Sequence, residues 1–221
     1  MTCRPEKLKH HNLKPMKCEL NYLSKSDGSS ILSQGNTVVL VSVNGPLEIK
    51  SAYQSMEKAT LEVLFSNKGG KPSVADRFKE NVIRQTCESA ILGCLFPRTG
   101  INITIQELEN YGGLVACAVN CTCLALLNSG VAMRHVVAAV TCAVDDVGNL
   151  VLDPTHEQIQ SSQALMYFVF ESSEKNMVTG FTEGKFSEDT YLEALELCRS
   201  ASDLVFKFYR EIVSKYCSVI G

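Results

Sequence analysis

Proline is scarce in this chain, six in 221 residues, and glycine numbers 14. That composition excludes a collagen-like repeat and a Pro/Gly-rich disordered chain. An excess of basic charge is lacking as well. Lys and Arg total 21 against 24 for Asp and Glu, a net charge of −3, so no overall field holds nucleic acid, and any such binding has to be local or shared with partners. None of the ten cysteines forms a Cys-x-x-Cys pair, and the first 17 residues are rich in Lys, Arg and His without the apolar stretch of a secretory signal. Reduced thiols, in cytosol or nucleus, are the expectation. Also absent are the Gly-x-Ser-x-Gly elbow of serine hydrolases and the Gly-x-x-x-x-Gly-Lys-Ser/Thr spacing of a phosphate loop, although Gly69-Gly70-Lys71 superficially resembles one.

What is present suits one domain with a sizeable core: 45% apolar and 20% charged residues over a length that a single core can fill. Residues 110–133 carry no formal charge. Gly112 and Gly113 precede the apolar part, Asn120 and Thr122 interrupt it and Asn128-Ser129-Gly130 ends it, leaving 114–127. At 1.5 Å per residue that is about 21 Å, short of the ~30 Å hydrocarbon layer of a bilayer. A helix buried on all sides in a soluble core is predicted instead, with no membrane contact.

Strand patterns dominate the first third. Residues 17–23 and 30–33 flank Ser26-Asp27-Gly28 as a hairpin. Residues 37–43 are a β-branched run ended by Asn44-Gly45-Pro46, and 59–65 alternate as a further strand. After a loop at 67–73, Ser73 is the expected N-cap of a helix with Asp76 in its first turn. Val74, Phe78, Val82, Cys87, Ile91 and Leu95 keep helical spacing as far as Pro97. A strand at 101–105, the neutral helix and a strand at 136–144 complete an alternation that predicts crossovers onto one sheet. The chain then turns at 145–149 into 150–152, forms strands at 164–170 and 177–182, and ends in a long helix capped by Ser187. Its predicted apolar face is Leu192, Leu195, Ala201, Val205, Phe208 and Ile212. The organisation expected is a tail at 1–17, one domain at 18–216 and a tail at 217–221.

Few residues offer chemistry by pattern alone. Cys117, Cys121 and Cys123 lie on the neutral helix, but 121 and 123 point to different sides and no histidine is near. They are expected to be buried apolar residues without a metal. His10 and His11 belong to the tail and His135 to a strand start; His156 follows Asp153-Pro154-Thr155 in a loop beside Glu157, where a surface role is expected. Lys68, Lys71, Arg77, Lys79 and Arg84 form the one basic concentration, around a helix N-terminus whose free N–H groups favour anions. It reads either as an RNA-binding segment or, with Asp76 and Glu80 interspersed, as a solvated helix of mixed charge.

A set of separated motifs, in order, is more specific. Gly35-Asn36-Thr37 joins two strands, the second ending in Gly45-Pro46; then come Leu95-Phe96-Pro97-Arg98-Thr99, Gly112-Gly113, Ser129-Gly130-Val131-Ala132-Met133-Arg134 and Val151-Leu152-Asp153-Pro154-Thr155. From about Cys18 to Tyr216 the chain resembles the ribonuclease PH family, and within it the subunits of the eukaryotic RNA exosome ring. The resemblance implies an α+β, ribonuclease PH-like fold (ribosomal protein S5 domain 2-like): mixed β-sheets packed with βαβ crossover helices and a long C-terminal helix. It implies as partners other ribonuclease PH-like exosome subunits, RNA-binding cap subunits and single-stranded RNA, in nucleus, nucleolus and cytoplasm, with no cofactor.

Active members of that family degrade RNA from its 3′ end with phosphate as nucleophile. They hold the phosphate with a Ser/Thr-Arg pair just after the second glycine, where this sequence has Leu114-Val115. They also place a second catalytic aspartate six positions beyond the first. Asp153 matches the first, and the second position is Ile159. The expectation is a non-catalytic subunit, with two alternatives: metal-assisted hydrolysis of RNA or DNA by Asp153 and Glu157, or a homodimeric nucleic-acid-binding module outside the ring.

Overall fold

A computed structural model describes residues 13–50, 54–71 and 73–220. The elements run β1 (Met16–Leu20), β2 (Gly28–Gln34), β3 (Thr37–Glu48), β4 (Thr60–Ser66), α1 (Val74–Ala90), a short 3₁₀ turn (Gly93–Leu95), β5 (Thr99–Glu109) and α2 (Leu114–Ser129). Then follow β6 (Val137–Asp145), β7 (Leu150–Leu152), α3 (His156–Gln160), β8 (Ser162–Glu171), β9 (Met177–Gly184) and α4 (Glu188–Ile220).

The strands form two sheets, not the single one that the alternation predicts. The first has the order β1-β2-β3-β5-β4, and the second β7-β6-β8-β9. Only β4 and β5, joined through α1, are parallel; the other pairs are antiparallel. The second expected crossover fails because α2 is apolar on every side. It buries every residue from Ala116 to Leu126, which requires cover from two directions. It packs on β2 and β3 with one side and on β6 with the other, so it hands the chain from one sheet to the next.

Two element ends also differ from the sequence pattern. β3 continues through Asn44-Gly45-Pro46 to Glu48, because β5 keeps pairing beyond a register shift, Leu47 with Gly100 and Glu48 with Thr99. Pro46, which lacks an N–H, sits within that irregularity. Helix α1 stops at Ala90 instead of running to Leu95. Chain from 132–134 takes over there: Leu92 N donates to Ala132 O, Arg134 N to Ala90 O, and Ile91 bridges Met133. The apolar stripe of α1 is covered only in part. Ile83 and Cys87 are buried, whereas Val74 is 87% and Phe78 46% exposed.

The start of α1 is fixed by a buried carboxylate. Ser73 and Asp76 form a reciprocal capping box, and Asp76 accepts from Ser73 N and Oγ, Asn67 Nδ2 and Lys79 Nζ. Burial alone would raise the Asp76 pKa; the Ser73 hydrogen bonds and the Lys79 ammonium outweigh it and bring the group from 3.8 down to about 2. A folded-state pKa below the unfolded one contributes stability above pH ~4, lost as pH falls through 2. The stability difference between wild type and Asp76→Asn is therefore expected to be constant near neutrality and to shrink between pH 4 and 2, as measured by urea unfolding at stepped pH. An unchanged difference across that window would contradict the assignment.

Helix α4 packs on β6 and β8 and buries Ala194, Leu197, Cys198, Ala201, Val205 and Tyr209. Leu192, expected on that face, is 51% exposed. Ser187 caps the helix, its Oγ accepting from Thr190 N. Near the other end Tyr216 Oη accepts from Leu20 N at 2.8 Å, tying α4 to β1.

Candidate functional site

The two glycines before α2 shape the site. Gly112 and Gly113 adopt φ of 107° and 64°. A Cβ on Gly112 would meet Pro154 O at 2.4 Å, and one on Gly113 would meet Asp153 Oδ1 at 3.0 Å. Their bareness lets the turn at 153–154 lie directly on the first turn of α2. The backbone is pinned there: Thr37 Oγ1 donates to Gly112 O, His156 N to Tyr111 O, and Asp153 N to Thr141 O.

Asp153 has its side chain turned inward and is 5% exposed. Oδ2 accepts from Gln34 Nε2 at 2.9 Å and from Lys14 N at 3.2 Å, and Oδ1 lies 3.6 Å from Lys14 Nζ. Lys14 Nζ also donates to Pro154 O. The negative charge facing the positive end of α2 is thus the chain's own, and its lone pairs are engaged from within. Lys14 lies in the expected tail, and no sequence pattern singles out either it or Gln34. Close by, Thr141 Oγ1 and Gln34 Oε1 are buried without a hydrogen-bond partner.

The positions after Gly113 offer no polar side chain. Leu114 is buried, and half-buried Val115 lines a cleft of about 290 Å³ between α1 and β9. Ile159 is half-buried on α3, and Glu157 and His156 are exposed on the same helix. The loop predicted around His156 is therefore a short helix, capped by a Thr155–Gln158 box that is legible as Thr-x-x-Gln. His156 Nε2 lies 3.1 Å from Gln160 Nε2. Asp153 and Glu157 point to different environments, and no three His, Cys, Asp or Glu side chains among the described residues converge as a metal cluster.

The basic segment divides. Lys68, Lys71 and Arg77 are exposed; Arg84 is exposed and donates to Asn81 Oδ1. Lys79 is withdrawn from the set, paired with Asp76 at 3.1 Å and lying 4.7 Å over the Phe65 ring. The three helix cysteines are buried, Cys117 and Cys121 one turn apart on the side that faces β2 and β3. Cys117 Sγ faces Leu32 O and Thr37 O, and Cys121 Sγ faces Ser30 O and Val39 O. Burial pushes the Cys121 and Cys123 thiols up to about 12, so neither is a thiolate at neutral pH. Cys3, His10 and His11 lie outside the described residues.

Residues 12–132 match the model of the 3′ exoribonuclease family, domain 1, and residues 135–201 that of its domain 2. The chain belongs to the 3′ exoribonuclease family. It is 30% identical to the exosome complex exonuclease RRP46 homolog of Arabidopsis thaliana, over 96% of this chain and 95% of that protein. The crystal structure of rice Rrp46 superimposes with a TM-score of 0.88 at 30% identity, covering 92% of this chain and 96% of that one. An Archaeoglobus fulgidus exosome with RNA bound to the active site shares the fold, with a TM-score of 0.78 at 17% identity, over 90% of this chain and 89% of that one. The boundary between the two family domains falls just after α2, where the structure passes from the first sheet to the second.

Proposed function

We propose that this chain is a non-catalytic ring subunit of an RNA exosome, which scaffolds the assembly and lines the path of single-stranded RNA for 3′-to-5′ processing and degradation, ribosomal RNA maturation included. The observation that carries this reading is the start of α2. Phosphorolysis needs donors and positive charge where the phosphate dianion sits. Here Leu114 and Val115 supply neither, and Asp153 is committed to Lys14 and Gln34. Function resides in a site's residues and not in the fold that carries them, so the family fold alone does not make this chain a phosphorolytic enzyme. Similarity to exosome proteins of Arabidopsis and rice supports that setting. Other ribonuclease PH-like subunits and RNA-binding cap subunits are its proposed companions, and nucleus, nucleolus and cytoplasm its proposed compartments.

The test is product analysis on a 3′-tailed RNA. The purified full chain is expected to release no nucleoside diphosphates, with or without added phosphate. Phosphate-dependent release of diphosphates, abolished by Asp153→Asn, would overturn the reading. Monophosphates released without phosphate, dependent on a divalent metal and lost in Glu157→Gln, would establish the hydrolytic alternative instead.

A further inference from the structure

We propose that Cys142 and Cys198 are an oxidisable pair, in which a peroxide closes a disulfide that clamps α4 to β6. The inference is independent of the RNA reading and concerns how the chain answers an oxidant.

Two periodicities place the thiols opposite each other. Alternate side chains of a strand share a face, so Cys142 lies on the same side of β6 as Ala138 and Val140. Its cross-strand partner Met166, and Phe168 opposite Val140, are fully buried. On α4, Ala194, Cys198, Ala201 and Val205 recur at helical spacing, and all four are buried. α4 packs on β6, and the two faces meet at the cysteines. The Cys198 thiol is hydrogen-bonded to that of Cys142, whose Sγ donates in turn to Ala143 O at 3.8 Å. Alanine at 138, 194 and 201 lets the helix sit close to the sheet, as a disulfide between them requires. The thiols of α2 point elsewhere, Cys117 to Leu32 O and Thr37 O and Cys121 to Ser30 O and Val39 O.

The chemistry needs one hydrogen peroxide per chain. One sulfur, having given up its proton, attacks a peroxide oxygen; the O–O bond breaks, a sulfenic acid forms and the first water leaves. The second sulfur, likewise deprotonated, then attacks the sulfenic sulfur, the S–S bond forms and the hydroxide leaves as the second water. Both cysteines are oxidised, and the peroxide takes up the two electrons. The hydrogen bond to Cys142, together with burial, raises the Cys198 pKa, so this thiol is protonated at neutral pH and the reaction is slow. Enclosure also selects the oxidant: a small neutral peroxide reaches the pair, and glutathione disulfide, bulky and charged, is expected not to. Once formed, the bridge closes a loop that contains β7, α3, β8 and β9, which restricts the unfolded chain and stabilises the folded one.

The experiment uses the full chain, alkylated on its accessible thiols in the native state and then treated with hydrogen peroxide. The protein is unfolded, its remaining thiols are capped with N-ethylmaleimide, and it is digested without reductant. The expected product is one linked pair of peptides containing Cys142 and Cys198. The urea midpoint of the treated chain is expected to rise by about 1 M, and the rise to vanish when dithiothreitol is present in the urea. Cys142→Ala and Cys198→Ala, each compared with its own untreated form, should show neither the link nor the rise. Oxidation of methionines is common to all three proteins and cancels in that comparison.

Maleimide on both Cys142 and Cys198 after peroxide treatment would overturn the inference. So would a bridge from either residue to another cysteine, or a sulfinic acid at either without a bridge. A Cys142–Cys198 bridge that leaves the urea midpoint unmoved would overturn the clamp.

Discussion

Asn120→Leu is expected to destabilise the chain by upwards of about 3 kcal/mol, more than a surface or loop change would. Asn120 is fully buried on α2. Its Nδ2 donates to Ala139 O at 3.0 Å, and its Oδ1 accepts from Ala139 N at 2.7 Å and from Tyr209 Oη at 2.9 Å. β7 pairs with β6 only at residues 142–144. Where that short strand ends, the amide side chain stands in for its backbone and joins α2, β6 and α4 at one point. Leucine keeps the branched four-atom skeleton of asparagine with bulkier methyl groups, so the loss reports three unpaired buried groups together with some overpacking, and not a cavity. Urea unfolding should show a lowered midpoint with an unchanged m-value. A loss below about 1 kcal/mol would mean that the three groups find other partners.

Asp153→Ala is expected to lower stability by about 2–3 kcal/mol, since it strands Gln34 Nε2, Lys14 N and the Lys14 ammonium in a largely buried site. Asp153→Asn should cost less, because one carbonyl oxygen remains to accept. In an active member of the family, the resemblance implies that this position serves chemistry; here its measurable duty is to fasten the 153–154 turn and the segment before β1 to the start of α2. Thermal or urea unfolding decides it. A variant as stable as wild type would return Asp153 to the status of an idle catalytic relic.

What the sequence discloses and what it hides separate along contact distance. Ser73 and Asp76, or Gly113 before a neutral apolar run, specify helix starts through neighbours three or four residues away, and these starts lie where the pattern places them. The end of α1 depends on hydrogen bonds from residues 132–134, and the continuation of β3 on pairing with residues 99–100, which no local pattern contains. The site divides in the same way. The apolar pair after Gly113 is visible in the sequence, but Lys14 and Gln34 reach Asp153 across 139 and 119 residues. The helical spacing of Val74 and Phe78 reads as core, and only the packing shows that the second sheet stops short of covering them. α3 is different: Thr155 and Gln158 are a local capping signal, and a segment of five residues is too short for helical periodicity to reinforce it.

The distribution of thiols has a practical consequence for anyone handling this chain. Of the nine described cysteines, six are buried and Cys18 is partly so, whereas Cys94 and Cys217 are exposed. Alkylating reagents and dyes therefore find two described addresses without any thiol being engineered away. One is in the 3₁₀ turn after α1 and the other in the last turns of α4. A fluorophore on Cys94 reports on the first sheet's crossover and one on Cys217 on the far end of the long helix, so the chain already carries a matched pair of labelling handles for following its incorporation into a larger particle.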